Sequence, residues 1–372
     1  MLRYLPIIAL FSASALADEG MWTMDNFPSE AVEERYGVTI DQAWLDKARL
    51  ATVRLTGPGG CTGSIVSPSG LILTNRHCIE DCLAEHTSEE SNVWENGHYA
   101  RHPGEEKRCS ATQAAFLADY EDVTEQVHAA TEGLDQVEAN QVRKQTLTRL
   151  EQACEEATDG ALKCQVVNLY KGGQYFLYKY RRYDDIRLVF APDIKIGVFG
   201  GDPDNFNFPR WTLDMAFLRA WGKDGPAATE NYMTWRAEGP EIREAVFVTG
   251  HPGSTSRLLT VAELEFLRET ARPLWLLRYA ELRGRYRQFA REDEEAYRIV
   301  QRDLKRLENS IKVRRNEIAA LLDERLMDAK RADEAALREA VASDPDLAAT
   351  VYAWHQIEYA LDAYRTFYER YI

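Results

Sequence analysis

Between residues 51 and 75 the apolar positions fall into short runs, Ala51–Leu55, Thr62–Ser67 and Leu71–Asn75, separated by Gly and Pro. Runs of that length bounded by turn formers predict β-strands, the last pair joined through Pro68-Ser69-Gly70. Ahead of them, residues 29–50 space Tyr36, Ile40, Trp44 and Ala48 at helical turns, which predicts a short amphipathic helix leading into the first strand. From about Ala111 to Ala157 the chain turns polar and helix-forming, rich in Glu, Gln, Ala and Leu, so a helical excursion is expected there. Strand character returns over Gln165–Tyr170 and Gln174–Tyr180, joined by a Lys171-Gly172-Gly173 hairpin signal. Further strands are expected at Ile186–Phe190, Lys195–Phe199, Met215–Ala220 and Ala245–Thr249. Past Arg257 the pattern changes to helix. Thr260-Val261-Ala262-Glu263 fits a capping box, and Tyr297, Val300, Leu304, Leu307 and Ile311 make the stripe of a long packed helix. Arg314 and Arg325 interrupt that seam, so a bundle or helical hairpin is expected rather than an extended coiled coil.

The 372-residue length allows two or more domains, each with its own core. A net charge of −15 argues against nucleic acid or an anionic membrane surface as partner, since both would repel it. At the N-terminus, an apolar run follows Arg3 and ends in Ala15-Leu16-Ala17 before Asp18, the pattern of a secretory signal peptide over residues 1–17. No later run is long and apolar enough to span a bilayer, so a soluble, exported, periplasmic product is expected. Export makes the six cysteines candidate disulfides. Sequence alone leaves the pairing open; the favoured set is Cys61–Cys78, Cys154–Cys164 and Cys82–Cys109. The first closes a hairpin-sized loop worth roughly 3 kcal/mol in the chain-entropy picture. Zinc is the rival, because Cys78 and Cys82 have ligand spacing, but no second close Cys/His pair answers them.

His77 ends the second apolar run of the hairpin and is flanked by Cys78, which can reach back to Cys61. An imidazole held this way is a candidate general base, and it needs a carboxylate to fix its tautomer and a hydroxyl to deprotonate. Asp214, at the head of an apolar strand, is the candidate carboxylate. Asp202 and Asp204 are rivals in a Pro/Gly turn, where Asp is common for backbone reasons; calcium at that loop is disfavoured by the spacing.

The segments GGCTGSIVSPSGLILTNRHC, YFLYKYRRYDDIRLVFAP, IGVFGGDPDNFNFPRWTLDMAFLRAW and VTGHPGSTSR resemble the S46 family of bacterial dipeptidyl-peptidases, in register over residues 25 to 260. The resemblance implies an α+β fold: a chymotrypsin-like double β-barrel with an α-helical domain inserted between the barrels. It also implies an activity that releases dipeptides from the free N-terminus of oligopeptides, with no cofactor and with a homodimer as a possible assembly. By motif position His77 is the base, Asp214 orients it, and Asn205 with Phe206 binds the substrate's α-ammonium. The chain departs from the family's usual residues: Arg76 stands for His, Phe206 and Phe208 for Trp, Trp211 for His and Leu213 for Gly. Arg76 is expected to point outward on the alternating strand, away from His77.

The chymotrypsin-like order is His, Asp, then Ser in a second barrel. After Asp214 the nearest nucleophile-like segment, Gly253-Ser254-Thr255-Ser256, matches the family's GHPGSTSR turn instead. The expected organisation is therefore a signal peptide (1–17), the first barrel half with its helical insertion (18–256) and an incomplete helical lid domain (257–372), without the nucleophile and inactive alone. A trypsin-like endopeptidase and a non-catalytic peptide-binding remnant are the alternatives.

Overall fold

The computed structural model describes residues 21–57, 60–88, 90–197, 212–252 and 258–372, and the side chain of residue 302 is not described. These divide into two compact units: residues 21–197 with 213–252, and residues 258–372.

The first unit opens with α1 (Ser29–Tyr36) and α2 (Gln42–Ala51), which Gly37 at φ 67° separates. Asp41 caps α2 by accepting from the Trp44 amide at 2.8 Å, and Leu45, Ala48 and Ala51 form its buried face. One antiparallel sheet follows, built from β1 (Thr52–Thr56), β2 (Cys61–Ile65), β3 (Leu71–Thr74), β4 (His98–Tyr99), β5 (Lys107–Arg108), β6 (Gln113–Asp122), β7 (Lys163–Leu169), β8 (Gln174–Tyr183), β9 (Asp185–Ala191), β10 (Ala216–Gly222) and β11 (Gly225–Pro226). Its order is β4-β9-β10-β3-β2-β1-β6-β8-β7, with β5 on β9 and β11 on β10.

The strands β9, β10, β3, β2, β1 and β6 turn side chains into a single buried cluster that includes Val53, Leu55, Ile65, Ile72, Phe116, Ile186, Leu188 and Leu218. Six neighbouring strands sharing one core must curl around it. Among the described residues no hydrogen-bonded pair joins β6 to β9, so the strand pairing does not by itself show the closed barrel expected. Between β3 and β6 lie α3 (Glu80–Glu85) and α4 (Val93–Asn96); the buried Cys82–Cys109 bridge ties α3 to the chain ahead of β6. Gly70, at φ 69°, makes the β2–β3 turn possible, since a Cβ there would lie 2.8 Å from the Ala220 carbonyl oxygen.

The expected helix over 111–157 is corrected at its start. Residues Gln113–Asp122 are β6, paired to β1 on one side and β8 on the other, with Ala114, Ala115, Phe116 and Leu117 buried. Helix-forming composition lost there to a sheet position that pairs 113–116 on both sides and buries both faces of Ala114–Leu117. Helix begins only at α5 (Thr124–Thr131) and α6 (Gln136–Ala157); the latter is capped by Asp135 and bridged to β7 through Cys154–Cys164. The strand expected at Lys195–Phe199 is instead the short α7 (Ile194–Gly197), started where Asp193 accepts from the Lys195 amide at 2.7 Å; residues 198 and 199 lie outside those described. Nor is Ala245–Thr249 a strand. Side chains hold it rather than a ladder: Phe247 packs edge-on to Trp44 at 5.0 Å, and the Thr249 hydroxyl meets that of Thr52 at 2.8 Å.

The second unit is helical. The capping box at Thr260 and Glu263 starts α8 (Val261–Phe266), which passes through a π-turn (Leu267–Ala271) into α9 (Arg272–Phe289). α10 (Glu294–Leu321) returns against α9, tied by Arg272 to Glu317 at 2.8 Å and by Arg287 to Glu308, the antiparallel order of a helical hairpin. Val300, Leu307 and Ile311 are its buried stripe. The unit ends with α11 (Glu324–Ser343), α12 (Tyr352–Arg365) and α13 (Tyr368–Tyr371). Among the described residues no helix is long and apolar enough to cross a membrane.

Leu218, fully buried in β10, tests this core. Leu218→Ala is expected to lower unfolding free energy by about 2–5 kcal/mol in denaturant titration, with the loss rising as the site fails to collapse.

Candidate active site

The site follows from a register. β3 and β10 run antiparallel with Thr74 opposite Ala216, so the residues just after β3 face the residues just before β10. Arg76–Ile79 form a single 3-10 turn that lifts His77 out of the sheet, and the Cys61–Cys78 bridge fastens that turn to β2. Asp214 stands at a tight turn where the Met215 amide donates to the Leu213 carbonyl at 2.8 Å.

The two candidates meet. The Asp214 Oδ2 lies 2.6 Å from His77 Nδ1, and its Oδ1 accepts from the His77 backbone amide at 3.0 Å. Asn75 donates from Nδ2 to the Asp214 carbonyl at 2.9 Å and, at longer reach, to Oδ2 at 3.4 Å. The carboxylate is mostly enclosed, 11% exposed, while the imidazole is 54% exposed. The hydrogen bond to Asp214 holds His77 above its ordinary value of 6.5, against the opposing effect of burial; the charge of Glu80 adds to the rise. Burial alone would raise Asp214, but its bonds to His77 and the local amides win, and it lies below its ordinary 3.8. A carboxylate kept ionised against Nδ1–H leaves the lone pair on Nε2, the arrangement a general base needs. Among the described residues no serine hydroxyl hydrogen-bonds to this ring.

All three favoured disulfides are present. The zinc reading falls with them: Cys78 and Cys82 belong to different bridges. Cys61, Cys78 and a His77 ring nitrogen do lie within 4.8 Å of one another, but both sulfurs are consumed in a disulfide and are not thiolate ligands. Asn205 and Phe206, with the rivals Asp202 and Asp204 and the turn serines Ser254 and Ser256, lie outside the described residues.

Arg76 is corrected. Rather than pointing outward, it is 0% exposed, the largest fully buried side chain among the described residues. The alternation argument failed because the chain leaves β3 at Thr74 and turns before reaching it. Sequence reasoning also missed Asn75, for which a polar residue one position past a strand gives no distinguishing signal.

The profile of the Peptidase S46 family matches residues 17–372. The chain belongs to the S46 peptidase family. Similar curated proteins include the Asp/Glu-specific dipeptidyl-peptidase of Shewanella putrefaciens, 34% identical over 289 residues, which are 73% of this chain and 39% of that protein. Dipeptidyl-peptidase 7 of Porphyromonas gingivalis is 30% identical over 265 residues, 67% of this chain and 37% of that protein. This S46 chain therefore spans about two fifths of the length of the curated relatives it matches. The crystal structure of Porphyromonas endodontalis DPP11 with the dipeptide Arg-Glu superposes with a TM-score of 0.81 over 95% of this chain and 53% of its own, at 23% identity, so the two share a fold.

In an NMR titration of this S46 chain, His77 should titrate above 6.5, and Asp214→Asn should lower it, because the hydrogen bond that is the main cause of the rise is lost while burial still opposes the charged form. The stability the pair contributes is full below 6.5 and fades as pH rises through the raised His77 value; it is present above 3.8 and fades as pH falls through the depressed Asp214 value. Thermal melts should therefore show the Asp214→Asn deficit most clearly between those limits.

Proposed function

We propose that this chain carries the base half of a serine-type exopeptidase that releases dipeptides from the free N-terminus of oligopeptides. The observation that carries the reading is the His77–Asp214 pair, short, bidentate toward the His77 residue and half-open to solvent, in a chain of the S46 family. Nε2 of His77 would take the proton of a serine hydroxyl and later return it to the leaving amine, with Asp214 holding the ring and stabilising the imidazolium. Protons and an acyl group are all that move, so no cofactor is required.

The curled six-strand layer is read as the first of two chymotrypsin-like barrels, and the helical unit as part of the inserted domain. Asn205 and Phe206 are assigned to the substrate's α-ammonium by motif position; an amide oxygen suits a cation that has lost its water. In this reading the nucleophile and oxyanion hole belong to a second barrel, and no described residue is assigned to them. Export to the periplasm and a homodimer belong to the same reading.

The 372-residue chain alone should not hydrolyse dipeptidyl-naphthylamides above background, and fluorophosphonate-sensitive hydrolysis by it would contradict this assignment. In a longer protein carrying these residues together with the nucleophile, His77→Ala should lower kcat/KM by about 1000-fold or more, and N-acetylation of the substrate should abolish cleavage. Efficient cutting of the acetylated peptide would favour the endopeptidase instead.

A further inference from the structure

Arg76 is buried completely next to the candidate base, yet among the described residues no carboxylate pairs with it. Its Nε donates to the Pro192 carbonyl at 3.1 Å and its Nη2 to the Trp94 carbonyl; the guanidinium stands 5.8 Å from the Trp94 ring, and among the described residues Nη1 has no partner. Burial pushes its pKa down, opposed at longer range by Glu80, Asp214 and Asp193. An apolar side chain would fill this volume without desolvating a charge, so the guanidinium is retained for something packing alone does not supply.

Its contacts lead to Asp214. Pro192 precedes α7, and Gly197 at the end of α7 lies so close that an added Cβ would sit 2.5 Å from Arg76 Cδ. From α7, the Ile196 carbonyl accepts the Leu213 amide at 2.8 Å, and Leu213 is the residue before Asp214. We propose that Arg76 is a positioning residue, which fastens α7 beneath the His77 turn and thereby holds the Asp214 turn in reach of the imidazole. The inference rests on reading His77 and Asp214 as a base and its orienting carboxylate.

Positioning and simple charge predict opposite signs. Removing a nearby cation by itself would raise the His77 pKa; releasing Asp214 would lower it, because the Asp214 hydrogen bond is the main cause of its elevation. The charged groups acting on His77 are Asp214 and Glu80, and neither changes in the Arg76 and Gly197 variants below.

The test is an NMR titration of His77 in the 372-residue chain and its variants. Arg76→Met keeps the stem and removes both carbonyl bonds; His77 should fall toward 6.5. Gly197→Ala, which drives a methyl into the Arg76 stem, should move His77 the same way, and should add nothing in an Arg76→Ala background, where no Cδ remains to collide. Should Arg76→Met not fold, Arg76→Lys, which keeps the charge but replaces two separately directed nitrogens with one, should lower His77 part of the way. A rise, or no change, in the folded variant overturns the proposal. Asp214→Asn separates the failures: if it leaves His77 unmoved, the base-and-carboxylate reading itself is wrong; if it lowers His77 while the Arg76 variants do not, only the role of Arg76 is lost.

Discussion

The pairing of Thr74 with Ala216 across β3 and β10 is the constraint on which the site depends. Residues 137 positions apart become neighbours because each leaves the same ladder at the same end, one as β3 stops and the other just before β10 starts. A slip of one residue would reverse every side chain in β10 and send Leu218 out of the core, so burial itself locks the register. The Cys61–Cys78 bridge and the close approach of Gly63 to Ile72, where a Cβ would lie 2.6 Å from Cγ2, hold the β2–β3 hairpin that presents the His77 turn.

Asymmetry of exposure gives the pair its chemical direction. Asp214 is shielded and receives hydrogen bonds from the His77 amide and the Asn75 amide group, so it stays ionised and fixed. His77 is pinned at Nδ1 and open on its other side. A carboxylate in water would exchange its partner for solvent; here the same bond works in a partly desolvated setting and carries more of the imidazolium's charge.

What the sequence revealed was local. Turn formers around short apolar runs marked β2 and β3, a Thr-x-x-Glu marked the start of α8, and cysteine spacing suggested the bridges. The His77 and Asp214 candidates were legible because each ends or begins an apolar run next to distinctive residues. Decisions made by distant partners were not legible. Gln113–Asp122 is a strand because β1 and β8 flank it, and Ala245–Thr249 pairs with no strand among the described residues. Arg76 escaped for a related reason: strand alternation says nothing about a residue that falls in the turn, and the carbonyls of Trp94 and Pro192 that receive it are far away in sequence.

The central claim is that His77 Nδ1 carries a proton bonded to the Asp214 carboxylate. Proton NMR of the 15N-histidine-labelled chain reads this directly. The account predicts a strongly downfield Nδ1–H resonance from His77 that disappears in Asp214→Asn. No such resonance in the native chain, or one that survives the substitution, would contradict it.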